Sequence, residues 1–63
     1  MYIVELTRPN SAKECCRFTD TMEAYSGYAI AKAIAMLTGG YAQLVWDDGG
    51  GICPVIASSD DED

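Results

Sequence analysis

The adjacent thiols of Cys15 and Cys16 are the most reactive side chains available in this sequence, and Lys13 and Arg17 flank Cys15 with two positive charges. Cationic neighbours are what make a thiol a nucleophile. Catalysis also needs a base and a group to orient it, and the chain contains no histidine. On an extended segment neighbouring side chains point to opposite faces, so the two thiols do not act on one substrate. Cys16 is expected in the core and Cys15 at or near the surface. Three cysteines with no Cys-x-x-Cys and no histidine do not supply the usual four zinc ligands, and an odd count suits a reducing compartment. Asp47-Asp48 followed by Gly49-Gly50-Gly51 offers oxygen ligands on a flexible loop. It lacks the ligand spacing of a calcium loop, and it lacks the lysine and following helix of a phosphate cradle. The segment reads as a hairpin turn carrying two carboxylates. No catalytic residue, metal site or cofactor is expected, and the chain is not read as an enzyme.

What remains is charge. Ten acids against four bases give a net charge of −6 over 63 residues, and the last four residues, Asp60, Asp61, Glu62 and Asp63, are all acidic. Such a run repels itself and stays solvated, so residues 1–58 are expected to form a compact domain and residues 59–63 a disordered acidic tail. The rest of the chain holds six acids (Glu5, Glu14, Asp20, Glu23, Asp47 and Asp48) and four bases (Arg8, Lys13, Arg17 and Lys32), a net of −2. Direct nucleic-acid binding is disfavoured, because phosphate contacts need clustered Lys and Arg. An acidic surface suits a basic partner instead. Duplex DNA carries a negative charge about every 1.7 Å of axis, and a track of carboxylates can imitate it. Asp20, Glu23, Asp47, Asp48 and the tail would have to form that track. Tyr25 and Tyr28 lie beside Asp20 and Glu23, and aromatic residues anchor interfaces, whereas Trp46 is expected in the core. The candidate partner-binding set is therefore Asp20, Glu23, Tyr25, Tyr28, Asp47, Asp48, Asp60, Asp61, Glu62 and Asp63. The competing use of the charge is solubility alone.

The elements that would position these groups follow from periodicity. Tyr2 to Thr7 alternates and is rich in strand formers, Arg8-Pro9-Asn10-Ser11 is a turn, and Ala12 to Phe18 returns as a hairpin partner. Asp20 with Glu23 three residues later resembles a capping box. An alanine-rich helix over Thr21 to Leu37 follows, with Gly27, Ile30, Ile34 and Leu37 on its expected core stripe. Gly27 in a helix interior implies close approach to the sheet, and Gly39-Gly40 ends the helix. Tyr41 to Trp46 alternates again. Ile52 to Ala57 is a last strand, pushed to a sheet edge by Pro54. The order ββαββ makes an α+β domain, one helix on a mostly antiparallel sheet of three or four strands. Its other sheet face would carry Ile3, Cys15 and Tyr41 or Val45, an apolar patch open to a partner or to a second copy.

Taken together, the opening strand Tyr2-Ile3-Val4-Glu5-Leu6, the returning strand, the helix Ala29-Ile30-Ala31-Lys32-Ala33-Ile34-Ala35-Met36 closed by glycine and the final strand pair resemble the very short acidic proteins with which bacteriophages disable host machines, the anti-CRISPR type in particular. The likeness is one of format rather than motif. It implies a stoichiometric inhibitor of a host protein complex that handles nucleic acid. The alternative reading is a small homo-oligomerising or accessory interaction protein with a solubility tail. No basic stretch leads into a long apolar run at the start, and the weakly polar stretch Tyr28 to Leu37 is broken by Lys32 and too short to span a bilayer, so a cytoplasmic protein with no membrane partner is expected.

Overall fold

The computed structural model describes residues 1–51 and 53–59. In chain order come β1 (Tyr2–Thr7), β2 (Glu14–Phe18), α1 (Thr21–Thr38), β3 (Tyr41–Trp46) and β4 (Val55–Ser58), the ββαββ arrangement that the patterning predicts. The strands form one antiparallel sheet in the order β2-β1-β3-β4. β1 is central and takes both neighbours: Val4 pairs with Cys16 on one side and with Leu44 on the other. Because β2 and β3 each run antiparallel to β1, they run parallel to one another, and α1 is the crossover between them.

Several boundaries have identifiable causes. The turn after β1 is closed by the Ser11 N–H donating to the Arg8 carbonyl (3.2 Å), and Asn10 takes the left-handed conformation at φ 61°. β2 begins at Glu14, two residues later than expected. β4 begins at Val55 rather than Ile52, which lies outside the described residues, and it runs to Ser58. Pro54 lies just before β4 and keeps its acceptor in use, its carbonyl receiving the Trp46 N–H (3.1 Å), and β4 is the edge strand, as expected. Leu44 pairs with Ala57 while Val45 pairs with Val55, so Ile56 is the extra residue of a bulge.

The helix caps match their sequence signals. Asp20 sits at φ −96°, ψ 133°, and its carboxylate accepts from the Glu23 N–H at 3.0 Å. Gly39 closes the other end at φ 77°. Asp20→Ala removes the N-cap acceptor and is expected to lower stability by about 1 kcal/mol, read as a shift in the urea midpoint, whereas Asp20→Asn is expected to leave it nearly unchanged.

The helix face is where the sequence reading fails. The side of α1 buried on the sheet is Ala24, Tyr28, Ala31 and Ala35. Of the expected stripe, Ile34 is only partly buried against the core, while Ile30 and Leu37 are 64% and 87% exposed. The core is completed by Val4, Leu6, Ala42 and Leu44, with Tyr2, Phe18 and Ala57 packed at its margin. Small side chains let the helix approach the strands closely, and the large volume comes from the sheet and from Tyr28. Gly27 does mark a close approach: a Cβ there would lie 2.8 Å from the tip of the Phe18 ring.

By register the sheet face away from α1 carries Ile3, Cys15, Tyr41 and Val45, as expected, with Val55 exposed opposite Val45. A polar chain also crosses it. Lys13 pairs with Glu5 (Nζ to Oε1, 3.3 Å), the Gln43 side-chain amide donates to the same Glu5 oxygen, and the Tyr41 hydroxyl donates to Gln43 Oε1 (3.2 Å) and bonds Ser58 Oγ (2.8 Å). Val45 is buried and Ile3 half-buried within this face.

Candidate functional site

The candidate site is built by strand register. Tyr2 stands opposite Phe18 on β2 and opposite Trp46 on β3, so the start of β1 and the ends of β2 and β3 share one end of the sheet. Two residues past Phe18 the chain reaches Asp20 and the first turn of α1. One residue past Trp46 it reaches Asp47. Asp20, Glu23, Asp47 and Asp48 therefore gather at the same end, although 24 positions separate Glu23 from Asp47 in the sequence.

Aromatic rings fill the middle of that end. Tyr2 meets Trp46 edge-on with centroids 4.8 Å apart and lies 6.5 Å from Tyr25, and its hydroxyl bonds Thr21 Oγ1 at 3.1 Å. Trp46 and Tyr25 remain 37% and 45% exposed. Trp46 was expected in the core; as the last residue of β3 it lies past the reach of the helix's small-residue face and covers Tyr2 instead.

Three of the four carboxylates are held in place by backbone N–H groups. Asp20 caps α1. Asp47 Oδ1 accepts from the Gly49 N–H (2.9 Å) and Asp48 Oδ1 from the Gly50 N–H (2.7 Å), side-chain turns of the kind Asp makes with backbone two residues on. Gly49 and Gly51 supply the positive φ, 84° and 87°, that folds the loop back. Asp47 is tied to β1 by its N–H donating to the Met1 carbonyl (2.8 Å), and the Met1 amino group donates to the Asp47 carbonyl (3.0 Å). The other two acids outside the terminal run are matched with bases elsewhere: Glu14 with Arg8 (2.7 Å) and Glu5 with Lys13 (3.3 Å). Four acids thus stand at the aromatic end, together with the Met1 ammonium and with Arg17 one position along β2 from Phe18, while the pairs Glu14–Arg8 and Glu5–Lys13 lie farther along the sheet.

One expected member of the site stands apart. Tyr28 is 6% exposed and belongs to the core, one turn deeper along α1 than Tyr25. The terminal run Asp60 to Asp63 lies outside the described residues. Ser59, expected in the tail, is bonded into the sheet: its N–H donates to the Ala42 carbonyl (2.9 Å), and its hydroxyl accepts from the Ala42 N–H (3.1 Å). Ala42 pairs with Leu6, so the chain leaves the sheet at the end opposite Asp47. Conversely, Tyr2 and Trp46 were missed as surface residues. Their places at the first position of one strand and the last of its antiparallel neighbour were the available signal.

The thiols do not add chemistry to this end. Cys15, Cys16 and Cys53 are all exposed, Cys16 against expectation, because α1 lies mainly over β1 and β3 and meets β2 closely at Phe18 rather than at Cys16. One of the two cations flanking Cys15 is engaged, since Lys13 binds Glu5 and Glu5 is the cross-strand neighbour of Cys15. Among the described residues no three His, Cys, Asp or Glu side chains gather as a metal would require, and no helix is long and apolar enough to cross a membrane. The arrangement offers ordered negative charge around exposed rings, the material of a binding surface. No family model, curated protein or solved structure matches the chain.

Proposed function

We propose that this protein is a non-enzymatic acidic inhibitor that seats its carboxylate-and-aromatic end on the basic, nucleic-acid-binding surface of another protein. In keeping with the resemblance to anti-CRISPR proteins, the target class is a CRISPR effector complex in the host cytoplasm. The observation that carries the reading is the gathering of Asp20, Glu23, Asp47 and Asp48 around Tyr2, Tyr25 and Trp46. Surfaces that hold phosphates are lined with Lys and Arg, which bind carboxylates through the same charge-assisted hydrogen bonds. Trp and Tyr at the centre of such a patch supply the desolvated anchors that charge alone does not. Hydrogen bonds that already fix Asp20, Asp47 and Asp48 reduce the ordering cost of binding. The terminal acids, leaving from the far end of the sheet, add negative potential that speeds encounter more than it holds the complex.

The test is capture by the immobilised chain from a nuclease-treated host lysate, followed by elution with short duplex DNA. A nucleic-acid-binding protein that is retained and then displaced by DNA is the expected result. Retention of no such protein, or retention indifferent to DNA, overturns the reading.

A further inference from the structure

An aspartate followed by glycine is the least hindered place in a chain for a backbone amide to attack the preceding side chain, because glycine has no Cβ to crowd the nitrogen. This sequence has one such pair, Asp48-Gly49. Attack there closes a five-membered ring that runs from the Gly49 nitrogen through the Asp48 main-chain carbonyl carbon, Cα and Cβ to Cγ. Both residues are exposed, and a Cβ on Gly49 would meet nothing within 4 Å among the described residues, so the nitrogen is not shielded by another segment.

We propose that Asp48-Gly49 is a self-modification site, at which the folded loop converts Asp48 to isoaspartate through a cyclic imide. Hydrogen bonds place each participant. Asp47 Oδ1 accepts the Gly49 N–H at 2.9 Å, the position of a general base for the attacking nitrogen. Asp47 is itself fastened to Met1 through both of its backbone groups. The Gly50 N–H donates to Asp48 Oδ1 at 2.7 Å, and so stands where negative charge develops as Cγ turns tetrahedral. The carboxyl is folded back over the loop, with Cγ 3.7 Å from where a Gly50 Cβ would be. The step starts from molecules in which Asp48 is the neutral acid and Asp47 the carboxylate. The bond from the Gly49 nitrogen to Cγ forms and the N–H proton passes to Asp47. That proton then joins the departing hydroxyl, which leaves Cγ as water. Water next adds to one of the two ring carbonyls. Opening at Cγ restores aspartate, whereas opening at the main-chain carbonyl leaves isoaspartate, with the chain running through the former side chain. Water is the only co-reactant, and the charge is unchanged. The main chain gains a methylene and the carboxylate now hangs from Cα, so the Gly50 hydrogen bond cannot keep its geometry and the acidic end is reshaped. Asp20 provides the contrast: its carboxylate also accepts a backbone N–H, but the residue after it is the β-branched Thr21, already fixed in α1. The modification is independent of what this end binds.

Ageing the full chain in heavy-oxygen water at about pH 5, where part of any ordinary aspartate population is protonated, tests this by mass spectrometry of its peptides. The expected result is a species lighter by one water, followed by uptake of one heavy oxygen at residue 48 and the appearance of isoaspartate there. Imide formation is expected at least about tenfold faster in the folded chain than in the same chain held unfolded in urea, because the fold supplies the base and the donor. Asp47→Asn keeps an oxygen for the Gly49 N–H but removes the basic carboxylate. It is expected to slow the folded-state reaction about tenfold or more with an unchanged circular dichroism spectrum. Gly49→Ala, which crowds the nitrogen, is expected to slow it in the folded and unfolded chain alike. Absence of imide and label at residue 48 overturns the proposal. So does label spread evenly over the aspartates, a folded chain that reacts no faster than the unfolded one, or an Asp47→Asn rate equal to that of the parent.

Discussion

Gly40→Ala is expected to cost the domain about 3 kcal/mol, at the upper end of the range for forcing an extra methyl into a packed site. Gly39→Ala, one residue earlier, is expected to cost about 1 to 2 kcal/mol, the usual price of a Cβ in the left-handed conformation. The two glycines look equivalent in the sequence, as a pair that stops the helix, but they act differently. Gly39 needs its φ of 77°, and a Cβ there would meet nothing within 4 Å. A Cβ on Gly40 would instead run into the Thr7 carbonyl oxygen and come within 3.1 Å of Arg8 Cα. Those are backbone atoms at the end of the central strand. Relief requires moving either β1 or the entry to β3, which breaks the pairing of Thr7 with Tyr41. Gly27 provides the contrast: its close neighbour is the end of the Phe18 ring, which can swing aside, and the gain in helix propensity offsets the crowding. Gly27→Ala is therefore expected within about 1 kcal/mol of the parent. For a chain of this size, whose net stability rarely exceeds about 3–5 kcal/mol, the Gly40 change alone unfolds a measurable fraction in water. Urea midpoints in the order Gly27→Ala, Gly39→Ala, Gly40→Ala, highest first and with unchanged slopes, are the expected outcome. A Gly40→Ala midpoint at or above that of Gly39→Ala would mean that the helix end does not press on β1.

The second large effect concerns binding. The combined variant Asp20→Asn, Glu23→Gln, Asp47→Asn and Asp48→Asn is expected to weaken target binding about 100-fold. That corresponds to four exposed charge contacts each contributing up to about 1 kcal/mol. The design keeps the fold. Asparagine retains the oxygen that accepts the Glu23 N–H at the cap, and the oxygens that accept the Gly49 and Gly50 N–H groups in the loop. Thermal stability is thus expected to change little while affinity collapses, a separation that alanine substitutions would blur. Removing residues 60–63 also deletes four negative charges, yet it is expected to slow association with far less effect on dissociation, because Ser59 is bonded beside Ala42 at the other end of the sheet. Equal losses from the two changes, measured by surface-bound kinetics, would place the binding charge in the tail rather than in the folded end.

How much of this was legible in the sequence varies from residue to residue. Strands with alternating side chains, the Asn10 turn, the Asp20 cap and the Gly39 stop are local decisions, and local chemistry sufficed for them. The buried face of α1 was not legible, because alanines occupy two opposite sides of the helix, Ala24, Ala31 and Ala35 on one and Ala29 and Ala33 on the other, and carry no directional signal. The eye is drawn to Ile30 and Leu37, whereas close packing selected Ala24, Ala31 and Ala35. Trp46 was assigned inward on size, but its place at the end of β3 decides otherwise. The meeting of Asp20 and Glu23 with Asp47 and Asp48 depends on β1 lying between β2 and β3, a long-range pairing with no local mark. Each pair of acids was visible; their convergence was not.

The most direct measurement of the central claim is the salt dependence of affinity for the DNA-displaceable partner, compared between the parent chain and the four-site neutralised variant. If the acidic end occupies a phosphate-binding surface, parent affinity falls at least about tenfold between 50 and 200 mM salt as screening sets in, and the neutralised variant, already weak, shows a nearly flat dependence. Parallel salt slopes for the two proteins, or parent binding indifferent to salt, would contradict it and move the contact away from Asp20, Glu23, Asp47 and Asp48.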